Sequence, residues 1–469
     1  MTYKAETSKV PGLTVAHTHK YLPNSCLLTD FYQFSMAQAW FNNQHHDKTA
    51  IFNLFFRRLP FNGNFVVAAG INDALLYIEN FKFDEDSLSY LSPMFDKDFI
   101  DYLRNLKPQI NIYGIEEGTI VFPHEPILRI EGPLALCQLL ETPLLNIINF
   151  QSLIATKAAR IRLAAGDKKL SDFGLRRAQG FDGAISASKA AYLGGIDTTS
   201  NLWAAKHFDI PLGGTIGHSF IMSYDKQLDA FNNFLDAKTN NRVLLLDTYL
   251  TPQGIKDAII AFKRLHNYSA QTLAVRLDSG DLLALSRQTR SELDRAGLKH
   301  CMIIASGDLD EYSIQALNLA QAPIDIFGVG TRLICAHNDP ALSGVYKLAA
   351  IKNGEKWRDT AKISDQLEKN TWPGRQALAR VYGPQGPIFD HIFDQDLGCE
   401  HKAKHLQKLM FEQGHISQTP KSLLELKKQV HINLAEFPTE IRSLEKTSSY
   451  PVKFDQSLIN KQIILRETL

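Results

Sequence analysis

Four stretches of this chain gather residue types suited to anion binding or group transfer. In Ser171-Asp172-Phe173-Gly174-Leu175-Arg176-Arg177, an acidic, aromatic and glycine turn delivers two guanidinium groups to one place. At a strand end such a pair suits bidentate clamping of a phosphate or diphosphate. Two adjacent arginines are about as often a solvated basic turn. In Pro211-Leu212-Gly213-Gly214-Thr215-Ile216-Gly217-His218-Ser219, three glycines fall within five residues. Their backbone N–H groups can approach an anion without Cβ hindrance. A lone loop histidine is usually just hydrogen-bonded. His218 lacks neighbours at zinc-ligand spacing, and a neutral imidazole is a competent nucleophile or phosphoryl acceptor.

The third pattern is a pair, Arg276-Leu277-Asp278-Ser279-Gly280-Asp281 and Gly328-Val329-Gly330-Thr331-Arg332. Both read as turns entering helices, with Asp281 and Thr331 of good capping type, and both place anion-binding backbone at a helix start. The lone G-x-G does not meet the dinucleotide spacing, and neither a P-loop nor a G-x-S-x-G occurs. The fourth is Thr29-Asp30-Phe31-Tyr32-Gln33. Aromatics here are more often core than ligand-facing, although a tyrosine beside a polar turn can stack on a flat heterocycle.

The elements that must carry these motifs follow a rhythm. The apolar runs beginning at Val243, Leu273, Met302 and Ile324 end abruptly in Asp247-Thr248, Asp278-Ser279, Ser306-Gly307-Asp308 and Gly328. Amphipathic stretches at 254–268 and after Asp281 separate them, a βα alternation expected of a parallel sheet covered on both faces. In such sheets functional side chains collect at the carboxyl ends of the strands, where these polar residues lie. Upstream, 50–70 and 112–132 alternate aromatic and aliphatic residues and predict short antiparallel strands. Residues 134–165 predict helix despite Pro143. The boundary between this first domain and the βα region is expected near 145–155, and little can be placed beyond about 345.

The 469 residues hold 51 Lys+Arg against 50 Asp+Glu, a net charge of +1. With 44% hydrophobic and 22% charged residues, the composition is that of a soluble enzyme rather than a disordered chain or a strongly basic nucleic-acid binder. No apolar run reaches the roughly 18 residues that span a bilayer, and the N-terminus has no secretory core. Five cysteines, never in a C-x-x-C pair, predict reduced thiols and a cytoplasmic location.

Eight motifs in register give the chain a specific resemblance. TDFYQFSMAQ (29–38), FFRRLPFNGNFVVAAG (55–70), SDFGLRRAQGFDGAISASKAAYLGGIDTTSN (171–201), GGTIGHSF (213–220), LLLDTY (244–249), VRLDSGDL (275–282), FGVGTRL (327–333) and GVYKLAAI (344–351) resemble the nicotinate phosphoribosyltransferase family. The resemblance implies an α/β fold: an irregular, TIM-like α/β barrel plus an α+β domain formed by N- and C-terminal segments. The expected divisions are an N-terminal α+β domain at 1–150, the barrel with the catalytic motifs at 151–345, and a C-terminal segment at 346–469 packing on both. It also implies a head-to-tail homodimer with shared active sites, and no nucleic-acid or membrane partner.

The implied reaction joins nicotinate to 5-phosphoribosyl 1-diphosphate, giving nicotinate mononucleotide and diphosphate. ATP is a co-substrate hydrolysed through a phosphohistidine, and Mg2+ accompanies the phosphates. By resemblance, Phe173 stacks on one face of the pyridine and Tyr32, from the partner subunit in related dimers, covers the other. Thr215 and Arg276 bind nicotinate. Arg176, Gly307, Asp308, Gly328, Gly330 and Thr331 match the sugar-phosphate side. Asp278 matches a ribose-hydroxyl or magnesium-water contact, and His218 the phosphorylated histidine. The nicotinamide-specific branch carries an aspartate at the position aligned with Ser200, where a carboxylate accepts the amide N–H and repels nicotinate; Ser200 therefore favours the acid, unless Asp197 takes that place. A catalytically inactive metabolite-binding barrel is the rival from another class, opposed by the joint presence of His218, Arg276 and Asp278.

Overall fold

The computed structural model describes residues 25–237, 241–266, 272–366, 369–447 and 449–468. The N-terminal stretch read above for a leader, residues 1–20, lies outside them. The chain forms two compact units, one of residues 1–156 and 341–469, the other Lys157–Pro340. Among the described residues no helix is long and apolar enough to cross a membrane.

The second unit is built on a six-stranded sheet in the order Thr198–Thr199, Lys169–Asp172, Ile326–Val329, Met302–Ala305, Ala274–Leu277, Val243–Leu245. Every neighbouring pair is parallel. Val275, Leu277, Ile303, Ala305, Phe327 and Val329 are fully buried, which is why these strands read as near-continuous apolar runs. The helices Phe181–Gly194, Thr251–Arg264, Leu282–Arg295 and Glu311–Leu319 lie between strands in sequence. The first amphipathic stretch thus stops at Arg264, short of the expected 268, while the second begins where expected. Asp281 caps its helix by accepting from the N–H groups of Leu283 at 3.1 Å and Ala284 at 3.0 Å. Thr331 does not cap: Gly330 holds that place and Thr331 is the first helical residue.

The first unit is mixed. Its seven-stranded sheet runs Lys356–Asp359, Gly344–Asn353, Thr49–Phe56, Leu128–Pro133, Asn111–Ile115, Gln407–Glu412, His415–Ile416, with antiparallel pairing throughout. The alternating segments upstream therefore do form antiparallel strands. A four-stranded sheet orders Lys404–His405, Gln376–Gly383, Gly386–Asp394 and Val452–Phe454. Two helices, Leu134–Leu139 and Glu141–Ala165, fill the expected helical region. Pro143 is tolerated because it stands third in the longer helix, where its missing N–H has no intrahelical partner. The expected boundary at 145–155 falls inside that helix, and the units divide at Thr156/Lys157.

Candidate active site

The strand Lys169–Asp172 ends on a carboxylate that organises the turn after it. Asp172 is 1% exposed and accepts from the Gly174 N–H at 2.7 Å and from the hydroxyls of Ser188 and Thr199, each at 2.8 Å. Burial pushes its carboxyl pKa up, against the pull of these three donors. The turn so held presents Phe173 and passes into the single 3-10 turn Leu175–Arg177. Arg176 and Arg177 are both exposed there, and Arg176 has no ion pair among the described residues.

Gly328, on the adjacent strand, makes room for that ring: a Cβ there would lie 2.4 Å from Phe173 Cε2. The Arg276 guanidinium carbon lies over the same ring, 5.4 Å from its centroid. Arg276 donates from Nε to Ser306 Oγ at 2.7 Å, from Nη1 to Thr215 Oγ1 at 2.7 Å, and from Nη2 to Asp278 Oδ1 at 2.5 Å. Three of its five donors are thereby used. Ser306 also donates to Asp278 Oδ1 at 2.6 Å. Burial opposes the charge on Asp278, but the Ser306 hydroxyl, Arg276 and His218 outweigh it and hold the carboxyl below its ordinary value.

His218 opens the five-residue helix His218–Met222. Its Nδ1 sits 3.1 Å from Thr248 Oγ1, and its Nε2 is 3.7 Å from Asp278 Oδ2. Asp247, the residue before Thr248, accepts from Asp278 N at 2.9 Å and from Ser279 Oγ at 2.6 Å. Its other oxygen, Oδ1, is buried without a hydrogen-bond partner.

The glycines of the 213–217 segment do different jobs. A Cβ on Gly213 would meet Thr198 Oγ1 at 2.4 Å, so this glycine serves close packing, while Gly214 faces open space. Gly307 has φ +100°, and a Cβ there would stand 2.0 Å from the Asp278 carbonyl oxygen. Asp308 follows, also left-handed at φ 54°, with its carboxylate 3.4 Å from Arg332 Nη2.

Ser200 continues from Thr198–Thr199, its N–H donating to the Asp172 carbonyl at 2.9 Å. Asp197 is engaged elsewhere: its carboxylate accepts from Arg162 and, at 2.9 Å, from the Leu170 N–H near the opposite end of the strand Lys169–Asp172. The second unit thus brings Phe173, Ser200, Thr215, His218, Arg276, Asp278, Gly307, Asp308, Gly328, Gly330 and Thr331 to the strand ends and the turns that follow them.

Tyr32 belongs to the first unit. It lies in the helix Phe31–Asn42, 47% exposed, rather than in a core. Its hydroxyl donates to Glu141 Oε2 at 3.2 Å, and partial burial together with that carboxylate pushes its pKa up to about 12.

Asp172, Asp247, Thr248 and Ser306 received no role from the sequence. Asp247, Thr248 and Ser306 stand where an apolar run breaks into polar residues, and that position was their signal; Asp172 follows the polar stretch Lys168-Lys169-Leu170-Ser171 and had none.

Models of nicotinate phosphoribosyltransferase match in sequence along the chain: the N-terminal domain over 27–149, the family core over 168–412 and the C-terminal domain over 395–462. The chain belongs to the nicotinate phosphoribosyltransferase family. The core match spans every strand-end residue described above, and the N-terminal match includes Tyr32. A nicotinate phosphoribosyltransferase of Bacillus subtilis is 40% identical, with 92% of this chain and 93% of the relative covered. One from Homo sapiens is 30% identical, covering 92% and 95%. The crystal structure of human nicotinic acid phosphoribosyltransferase superposes with a TM-score of 0.82 at 28% identity, over 93% of this chain and 99% of that one. The nicotinate-nucleotide pyrophosphorylase of Pyrococcus furiosus shares the fold, with a TM-score of 0.70 at 24% identity over 88% and 96%.

Proposed function

We propose that this chain transfers the phosphoribosyl group of 5-phosphoribosyl 1-diphosphate to nicotinate, forming nicotinate mononucleotide and diphosphate in NAD biosynthesis by salvage. The observation that carries the reading is the Arg276 network: one guanidinium tied to Thr215, Ser306 and Asp278 beside Phe173. The pyridine nitrogen attacks C1 of the ribose while the C1–O bond to diphosphate breaks and its electron pair leaves with diphosphate. The sugar passes through an oxocarbenium-like state, as in glycoside cleavage. Phe173 supports one face of the base. The remaining donors of Arg276, with the Thr215 hydroxyl, take the carboxylate. Arg176 and the turns at Gly307–Asp308 and Gly328–Thr331 hold the sugar phosphates, so that the reactants meet in line.

His218 is the phosphoryl acceptor from ATP in this reading. With Nδ1–H donating to the Thr248 hydroxyl, Nε2 keeps its lone pair and is the nucleophile. The donor set fits Mg2+: Asp247 Oδ1 is buried without a partner, and Asp278 adds a second carboxylate, both hard oxygen ligands. Bound there, the ion would neutralise charge on the phosphates.

Ser200 supports the acid over the amide, because no carboxylate stands there to repel nicotinate and Asp197 is held by Arg162 and the Leu170 N–H. The same reading makes the six-stranded sheet part of an irregular, TIM-like α/β barrel, with the first unit as its α+β partner domain. It also makes the protein a cytoplasmic head-to-tail homodimer, in which Tyr32 of one protomer covers the base bound by its partner.

The test uses γ-labelled ATP and both bases. Wild-type protein should acquire an acid-labile, alkali-stable label and convert nicotinate in preference to nicotinamide. His218→Asn should take no label and lose ATP stimulation while keeping slow transfer. Full ATP stimulation in that variant, with label on another residue, refutes the His218 assignment; equal turnover of the two bases refutes the specificity.

A further inference from the structure

The four-stranded sheet of the first unit carries ligand-type side chains that the transfer reaction does not use. His391 lies in the strand Gly386–Asp394 and is 2% exposed, and Cys399, Glu400 and His401 follow in the next loop. One ligand atom from each of His391, Glu400 and His401 lies within 4.8 Å of the others. The two imidazole rings meet edge-on, centroids 4.8 Å apart at 64°. Cys399 Sγ is 3.7 Å from His391 Nδ1, and His401 Nε2 is 3.3 Å from Glu400 Oε1.

Polar contacts among surface side chains need no ion, and Glu400 with His401 alone would be one. The combination here is more selective. Two imidazoles, a thiolate and a carboxylate are the set that Zn2+ takes, and bonds of about 2.0–2.3 Å in a tetrahedron place ligand atoms about 3.3–3.8 Å apart. For His391, Glu400 and His401, contraction from separations of up to 4.8 Å takes movements of about 1 Å or less per side chain, and Cys399, which lies outside that group, reaches it through His391 and must turn toward the other two. Charge also balances. Lys453 pairs in register with His391, and its Nζ lies 3.9 Å from the Phe389 ring centroid, so an added net positive charge would be opposed. The thiolate and the carboxylate together cancel the dication. Cys399 further packs against the buried cluster of Ala377, Ala379 and Phe393, which fixes the loop near the strand before any ion binds.

We propose that His391, Cys399, Glu400 and His401 form a zinc site that fastens the loop after the strand Gly386–Asp394 to its sheet, separate from the magnesium of the transfer reaction. Soft and borderline ligands of this kind select zinc over magnesium.

The experiment takes the full-length chain without a polyhistidine tag, stripped with chelator and dialysed against zinc. The wild type should retain about one zinc per chain, as expected for one four-ligand site. Cobalt substitution should give tetrahedral d–d bands and a thiolate-to-cobalt charge-transfer band, with Cys399→Ser losing the latter. His401→Ala should bind zinc roughly a hundred-fold more weakly, and exposed Glu400→Gln about ten-fold more weakly, with unchanged circular dichroism. His391→Ala is reserved as a confirming variant because its ring is buried. Zinc content below about a tenth per chain, as expected without a formed site, or wild-type affinity in both His401→Ala and Glu400→Gln, overturns the proposal. A cobalt spectrum unchanged by Cys399→Ser overturns the four-ligand set.

Discussion

Asp172 touches no reactant in the proposed reaction, yet the nicotinate subsite should depend on it. Its carboxylate satisfies three buried donors, Gly174 N–H, Ser188 Oγ and Thr199 Oγ1. Asp172→Ala strands all three. Each orphaned buried donor costs about 1–3 kcal/mol, and because the two hydroxyls can rotate we expect a loss of about 3–5 kcal/mol. In Asp172→Asn, Oδ1 keeps the Gly174 N–H, while the amide NH2 meets two hydroxyls that can turn to accept. Burial already disfavours the charged carboxylate, so the neutral amide is spared that penalty; the expected loss is about 1 kcal/mol. The functional consequence comes through Phe173, whose ring loses its anchor. A stacking contribution of about 0.5–1.5 kcal/mol corresponds to a rise in nicotinate KM of roughly 2- to 12-fold. The KM for phosphoribosyl diphosphate should move less. Urea unfolding and steady-state kinetics on both variants provide the assay. Wild-type stability and an unchanged nicotinate KM in Asp172→Ala would refute the reasoning.

Ser200→Asp should shift preference from nicotinate toward nicotinamide, measured as the ratio of kcat/KM for the two bases; an unchanged ratio would place the determinant elsewhere. Gly307→Ala combines a left-handed backbone with a Cβ 2.0 Å from the Asp278 carbonyl. It should cost about 2–4 kcal/mol in urea unfolding and depress kcat/KM for phosphoribosyl diphosphate. Asp278 is held below its ordinary 3.8, so its stabilising contribution is complete above that value and is lost as pH falls through the lower folded one. The acid limb of the wild-type stability curve should therefore be steeper than that of Asp278→Asn, read from urea midpoints across a pH series.

Much of the candidate site was legible because its chemistry is local. Strand ends announce themselves where an apolar run breaks at Asp247, Asp278, Ser306 or Gly328, and in a parallel sheet all such breaks share one edge. The glycine-rich segment before His218 and the adjacent arginines after Phe173 were visible for the same reason. The first unit's sheet was half legible. The alternating segments at 50–70 and 112–132 read as short antiparallel strands, but the sheet they enter also needs Gly344–Asn353, which pairs Ala50 with Ile351. No periodicity within 345–469 says which distant edge a strand will join, since pairing energy depends on the partner.

By itself, the order of residues determined the alternation of strands and helices in the second unit, the positions of the polar strand ends and the family resemblance. Only the tertiary structure decided which of those polar residues act on one another. It kept Asp281 as a helix cap but gave the equivalent place before Thr331 to Gly330, and it set Asp278 against Arg276 and His218. It gave Gly213 and Gly328 to packing, and it set Asp197 against Arg162 near the far end of a strand. Spacing along a strand determines the face and end that a side chain occupies. Its hydrogen-bond partners come from neighbouring strands some thirty or more residues away, and their approach is set by packing across the sheet.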